Sequence, residues 1–413
     1  MRKFFAPIIL LLMAIALCCS GGCTTTEILH AETTELNVAP SSVSEKMLLD
    51  IGIINFDPGI PEKNNIEKQD YVYPKVRVTE ARYLPYHLKI TLQGTGFWGA
   101  VRVIPSRYMF TDIIISGVIE QSDGEYATMH LTVEDALGKE WFQRSYSTQT
   151  GFASYADYRN RSVDPYQKMF NDFANDLQEY VAILTPKGIE RIRQVSELKF
   201  FADMAPNSFG DHLATNEDGT ESIIRLPAEN DPTAARLRQI RERDRLVVDT
   251  LNEHYANFYY GVALPYEGWR KVSREEHINY RQVKKSARMR MLVGIIVVAG
   301  SVAMDTDNSS SRSTRRMKRA IQTQGISHGM KSVIAGWTRR KEAKIHLAAL
   351  QELSDSFISE ASPMIVTIDG ESRRLTGTAE AQYETWRKIL KQLHEEETGF
   401  TDVEIGRPTR QTR

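Results

Sequence analysis

No cysteine follows Cys23 in this chain of 413 residues; its three, Cys18, Cys19 and Cys23, all lie at the amino-terminal end. The body therefore has no disulfide framework and no thiolate metal site available to it, and has to be held by packing. With 41% hydrophobic and 25% charged residues, it is too apolar to be disordered and long enough for two or three domains. The nine histidines include no H-E-x-x-H and no pair at ligand spacing. No Walker A or dinucleotide-binding glycine pattern occurs either, so neither a metal nor a cofactor is expected.

Arg2 and Lys3 precede an almost unbroken apolar run, Phe4 to Leu17, and the small residues Ser20, Gly21 and Gly22 stand just before Cys23. A run of 14 residues is short for a membrane span, which needs about 20. The order basic, apolar, small is that of a secretory signal. Ser20-Gly21-Gly22-Cys23 resembles the lipobox of bacterial lipoproteins, with Ser20 where that family usually carries Leu. The resemblance implies that residues 1–22 are a signal peptide and that Cys23 becomes the lipidated first residue of the mature chain. It also implies that Thr24, not being Asp, directs the protein to the outer membrane, facing the periplasm. Cleavage by the ordinary signal peptidase, leaving a soluble periplasmic protein, is the alternative. Lipidation would leave no free thiol in an oxidising compartment. Residues 23–46, rich in Thr, Ser and Glu, read as a flexible tether spanning about 25 Å as a random coil.

Residues 47–185 read as an α+β domain, a small mixed or mostly antiparallel sheet with flanking helices. Leu48 to Phe56, Ala100 to Ile104 and Ile113 to Ile119 are strand candidates, and Lys75 to Gln93 is helical in places, with Pro85 expected to force a kink or a restart. Asp123-Gly124 is a hairpin signal, after which Ala127, Met129, Leu131 and Val133 alternate with Thr128, His130, Thr132 and Glu134. Trp141 to Tyr146 follows a turn at Gly138. Asp164-Pro165 caps a helix whose core stripe is Tyr166, Phe170, Phe173, Leu177, Val181 and Leu184. This element order, with the phrases Phe97 to Val103 and Ile115 to Ile119, resembles the small domains of curli-secretion-channel lipoproteins, lipoprotein activators of peptidoglycan synthases and the N-terminal domain of the Tol translocation protein. Those families act by docking and assembly, and no site residue carries over from them.

Residues 186–282 read as a helical region, interrupted from 206 to 232 by a loop with six acidic residues against one Arg. Asp231-Pro232 reopens a long helix marked by Leu237, Ile240, Val247, Leu251 and Phe258. Its aromatic far end, Tyr255, Tyr259, Tyr260, Tyr266 and Trp269, is expected to pack against another helix. Residues 338–400 form a helix, hairpin, helix unit able to pack on either domain, with faces at His346, Leu350, Leu353 and Phe357 and at Tyr383, Trp386, Leu390 and Leu393. Between the two lie Met364 to Ile368, a turn at Asp369-Gly370, and Arg373 to Leu375. Residues 401–413 form a tail.

Charge is divided unevenly along the chain. Residues 281–344 hold 15 Lys or Arg against three acids, an excess of 12, although the whole chain carries only −1. Inside the basic, Gly-containing segment 283–337 lies Met291 to Met304, 14 residues without a charge. Lys284, Lys285, Arg288 and Arg290 precede this run, and Arg315, Arg316, Lys318 and Arg319 follow it. The run reads as a buried core helix or strand pair. Two alternatives are an element contacting anionic lipid or lipopolysaccharide through those cations and a homo-oligomer contact through Gly294 and Gly300 or Gly325 and Gly329. Nucleic acid is not expected as a partner of an exported protein.

Three patterns imitate catalytic or metal motifs. Gly325 to Gly329 matches G-x-S-x-G around Ser327, with Asp369 and His394 following in triad order, but the preceding residues are polar and basic where a nucleophile elbow needs an apolar strand. Ser196 to Lys199 matches S-x-x-K without its partner motifs. Asn216, Asp218 and Gly219 fit part of a calcium loop that has Ala214 and Arg225 at its end positions. The expectation is a non-enzymatic outer-membrane lipoprotein, held by its lipid and docking an envelope protein in assembly, tethering or transport. An oligomeric export-channel subunit with a membrane-inserting apolar segment is the alternative, and a periplasmic hydrolase using Ser327 a distant one.

Overall fold

A computed structural model of the chain describes residues 33–61, 72–155, 163–302, 345, 347–352, 354–355, 363–368 and 371–398, the stretch 280–302 by its backbone only. Five strands form one mixed sheet: β1 (Ile51–Ile54), β2 (Val101–Ile104), β3 (Ile113–Ser122), β4 (Tyr126–Asp135) and β5 (Glu140–Gln149), in the order β2-β1-β3-β4-β5. The first three run parallel, and β3, β4 and β5 form an antiparallel meander. The fold is thus α+β, with the sheet flanked by helices and not closed into a barrel. Alternation on β4 is followed to the letter: Ala127, Met129, Leu131 and Val133 are buried, and the residues between them are half-exposed. Their apolar face joins one core with Leu84, Leu88 and Leu92 of α1 (Pro74–Thr95) and Phe170, Phe173 and Leu177 of α2 (Gln167–Ala182).

Pro85 does not interrupt α1, which is continuous for 22 residues. Having no N–H, Pro85 leaves the carbonyl of Ala81 without its helical partner. The backbone N–H of Phe56, just beyond β1, donates to that carbonyl at 2.9 Å. The missing bond has become a tie between helix and sheet.

α3 (Pro186–Met204) precedes a single helical turn, Pro206–Phe209. The expected acidic loop then folds into a small hairpin, β6 (Leu213–Thr215) with β7 (Glu221–Ile223). Asn216, Asp218 and Gly219 form its turn, where Asp218 accepts from the N–H and hydroxyl of Thr220. They shape a loop and not a cation shell. α4 (Pro232–Val302) runs 71 residues, about 107 Å at 1.5 Å per residue. Its backbone stays helical across residues 282–283 and from 291 to 302, which overturns the strand-pair reading of that stretch. The aromatic end packs as expected on α1, Tyr259 stacking on Tyr83 with centroids 4.5 Å apart, while Tyr260 stays exposed.

The C-terminal hairpin, β8 (Met364–Ile368) with β9 (Glu371–Leu375), leads to α5 (Ala379–Thr398). α5 packs on the α3–α4 side. Asp203 of α3 takes Arg387 and, at 3.3 Å, Lys391, and the Arg387 guanidinium also donates to the carbonyl of Tyr108. On α4, Asp244 accepts from Tyr383 and Trp386.

Two further ties were not anticipated. Residues 34–39 do not hang free: the side chains of Asn171 and Asn175, one turn apart on α2, donate to the carbonyls of Thr34 and Glu35, and Asn37 N–H donates back to Asn175. At the other side of the sheet, the Asn252 amide on α4 accepts from Val103 N–H and donates to Val103 C=O, acting as one residue of a neighbouring strand. The β2 edge is thereby covered at Val103, and β5 is the edge strand with no strand partner beyond it among the described residues.

The β3–β4 turn presses on α4. Gly124 has φ 86°, and a Cβ built there would lie 2.1 Å from the carbonyl oxygen of Arg270. Gly124→Ala is expected to lower the unfolding free energy by more than about 2 kcal/mol, since backbone strain and displacement of the hairpin add. Gly219→Ala, with φ 82° but nothing within 4 Å, carries strain alone and should lose only about 1–2 kcal/mol. Urea midpoints of the two variants check the difference; equal losses would mean that the contact with α4 contributes nothing.

Candidate functional site

The parallel strands begin at two carboxylates that hold their starts together. Asp50 accepts the N–H of Ala100, joining β1 to β2, and Asp112 accepts the N–H of Asp50, joining β1 to β3. Burial, together with the charge of nearby Asp50, pushes the Asp112 carboxyl up from the usual carboxylate range, against the backbone bond that lowers it. Beside these strand starts lies a cleft of about 860 Å³, walled by the 3-10 turn Glu45–Met47, the first turns of α3 and the α4 segment from Arg238 to Arg245.

Six cations line it, Lys46, Lys187, Arg193, Arg238, Arg241 and Arg245. Six carboxylates face them: Glu45, Asp50, Asp112, Glu190, Glu197 and Glu242. Several are already paired. Arg238 meets Glu197 at 2.9 Å, and Arg245 meets Glu242 at 2.7 Å and Asp50 at 3.1 Å. Arg241 is different: it is 8% exposed, and its Nη2 donates to the carbonyl of Phe110 and the hydroxyl of Ser196. Phe110 has φ 52°, a left-handed conformation unusual for a bulky residue. Ser196 also donates to its carbonyl, at 2.6 Å. Ser196 therefore works as a brace, and Lys199 lies 3.8 Å from Glu221 of the small hairpin. The S-x-x-K pattern is spent on structure.

A second polar centre is sealed between α1, α4 and the β3–β4 turn. Glu80, 0% exposed, accepts from Ser122 and from Tyr266 at 2.7 Å. Burial pushes its carboxyl up, with Arg77 pulling the other way. Arg270 is 1% exposed, gripped by both oxygens of Asp164 at 2.9 Å and sandwiched between the rings of Tyr166 and Tyr266. Nearby, His87 contacts Gln167 Oε1 at 2.9 Å and Tyr259 at 2.7 Å. An amide oxygen only accepts, so Nε2 carries the proton and Nδ1 accepts from the phenol. Burial lowers the His87 pKa and keeps the ring neutral. None of its residues lines the cleft, and the centre reads as a fold-fixing network.

Of the cations singled out in the sequence, Lys284, Lys285, Arg288 and Arg290 lie on the helical backbone of α4. Cys23, Arg315, Arg316, Lys318, Arg319, Ser327 and Asp369 lie outside the described residues. His394 is buried on α5. Among the described residues, no helix is long and apolar enough to cross a membrane and no group of three His, Cys, Asp or Glu could hold a metal ion. Arg241 and Arg270 escaped the sequence reading because each is one Arg among many on a long helix. Asp164 was recognised only as a cap.

No protein-family model and no curated protein matches this chain. Among solved structures it is similar to a single-substitution variant of PelC, a dodecamer from Paraburkholderia phytofirmans. The identity is 12%, the match covers 37% of this chain and 96% of the other, and the TM-score is 0.17.

Proposed function

We propose that this chain is a lipid-anchored protein of the bacterial outer membrane that faces the periplasm and serves, without catalysis, as a docking component in envelope assembly, tethering or transport. The observation that carries this reading is the apolar leader closed by Ser20-Gly21-Gly22-Cys23. Thr34, the first residue tied to α2, is 11 positions beyond Cys23. The body therefore stands within about 40 Å of the lipidated residue even if the chain between is fully drawn out. Helix α4 offers a second contact. Its backbone is helical to Val302. It carries Lys284, Lys285, Arg288 and Arg290 ahead of the uncharged run, an order suited to anionic lipid or lipopolysaccharide at a membrane surface. The β5 edge gives an envelope protein partner a strand to pair with.

Cys23→Ala should move the protein from the membrane fraction to the soluble periplasm. If it stays with the membrane, the apolar run is the anchor and the lipid reading fails. Deleting residues 291–304 should reduce flotation of the Cys23→Ala protein with anionic vesicles, and added salt should weaken that flotation, as screening requires. Flotation unchanged by the deletion would remove α4 from the membrane contact.

A further inference from the structure

In the cleft beside the strand starts one guanidinium has no direct ion pair among the described residues, while its neighbours have theirs. Of the five N–H donors of a guanidinium, Arg241 commits only those on Nη2, to Phe110 and Ser196. Among the described residues its Nε and Nη1 form no hydrogen bond and it has no ion pair within 4 Å, Asp112, Glu197 and Asp50 acting on its charge from farther away. Neither nitrogen is sealed from solvent, and Arg241 lines the cleft. Both wall arginines have carboxylates of their own, in Glu197 and in Glu242 with Asp50. Among the described residues Lys46, Lys187 and Arg193 on the rim have no carboxylate within 4 Å, Arg193 donating instead to the Glu45 carbonyl at 3.2 Å. Lys187 stands in the first turn of the 19-residue α3, where the helix dipole adds positive potential. On the opposite side of the balance, Asp112 is occupied by the Asp50 N–H. Glu45 and Glu190 have no ion pair among the described residues and are exposed at the rim, Glu190 accepting only a long bond from the Gln194 amide at 3.4 Å.

We propose that this cleft is a binding site for a small ligand carrying one phosphate or carboxylate group, seated on Arg241, with a hydrogen-bond-donating body that meets Glu45 and Glu190. The six acids among the lining residues disfavour a polyanion, which would face them at short range. The volume of about 860 Å³ exceeds what a lone ion fills. This site does not depend on the lipid anchor and stands whether or not Cys23 is modified.

The test is calorimetric titration of the full-length chain in detergent with inorganic phosphate, glycerol phosphate and acetate, each against chloride at the same ionic strength. Saturable binding is expected, with the phosphates or acetate preferred according to the oxyanion the site takes, and glycerol phosphate tighter than inorganic phosphate if the body contributes. Arg241→Met should weaken binding at least about tenfold, the scale of one charge-assisted hydrogen bond. Because Arg241 also braces Phe110, Lys187→Ala, at an exposed side chain with no hydrogen bond or ion pair among the described residues, provides a rim variant that leaves the fold intact, and it should weaken binding severalfold. No saturable binding by any probe overturns the proposal, as does unchanged affinity in the rim variant or in folded Arg241→Met protein.

Discussion

An Asp164→Asn protein is expected to lose about 3–5 kcal/mol of unfolding free energy at neutral pH, the loss typical of removing one partner of a buried ion pair. Arg270 keeps its charge, and with 1% exposure it cannot turn to water. It is walled by Tyr166 and Tyr266, whose ring centroids lie 4.8 and 4.3 Å from the guanidinium carbon. Burial alone would raise the Asp164 carboxyl; the Arg270 guanidinium, by its charge and its hydrogen bonds and helped by the N–H of Tyr166, overcomes that and holds it well below the usual range. A carboxyl whose pKa is depressed by folding contributes stability that is complete above its unfolded value, about 3.9, and is lost as the pH falls toward the folded value. Wild-type stability should therefore decline below about pH 4, and the gap to the Asn variant should narrow there. Asp164→Leu combined with Arg270→Met should recover much of the loss, because two apolar side chains leave no charge stranded. Urea titrations at neutral and acid pH measure all three proteins. Equal midpoints for wild type and Asp164→Asn at neutral pH would show that the pair contributes nothing.

The β3–β4 hairpin was legible because two local signals agree, an Asp-Gly turn and an apolar alternation long enough to define a face. The β6–β7 hairpin uses the same dipeptide, Asp218-Gly219, but its strands are three residues each and show no alternation to read. Pro85 misled for a different reason. A proline in a helix leaves one carbonyl unpaired, and the Phe56 N–H that meets it at 2.9 Å comes from 25 positions earlier. Residues 34–39 look like any polar tether; what binds them is a pair of asparagines on α2, which local periodicity does not connect to them. Asp164 shows the limit most clearly. Its cap to the Tyr166 N–H, two residues away, was foreseeable, whereas its ion pair with Arg270 spans 106 positions. The cleft was invisible for the same reason: Arg236, Arg238, Arg241, Arg243 and Arg245 look like one solvated charge run, and only the packing of α3 and Phe110 against it buries Arg241.

Asp244→Asn should act in the opposite direction to Asp164→Asn and stabilise the protein at neutral pH. Asp244 is 1% exposed and joins α4 to α5 by accepting from Tyr383 at 3.1 Å and Trp386 at 3.2 Å. Burial pushes its carboxyl up to about 6, although Arg387, the two hydrogen bonds and Arg241 each pull it down. A carboxyl raised by folding is favourable while protonated, so stability is full below the unfolded value and declines as pH rises through the folded one. A shift of about two pKa units amounts to about 3 kcal/mol withheld above pH 6 or so. Asparagine has no charge to desolvate. Its oxygen accepts from the Trp386 indole, and its amide donates to the Tyr383 hydroxyl, which serves as acceptor as well as donor. The variant should therefore gain about 1–3 kcal/mol at neutral pH and little or nothing near pH 4, where Asp244 is itself protonated. The two hydrogen bonds of Asp244 join α4 to α5, so a stronger contact there should hold α5 more firmly in place. Amide hydrogen exchange of α5 should then be slower in Asp244→Asn than in wild type at neutral pH, and equal at acid pH. A variant less stable than wild type at neutral pH would mean that the charge itself, held by Arg387 and Arg241, makes the contact, and that the desolvation argument is wrong.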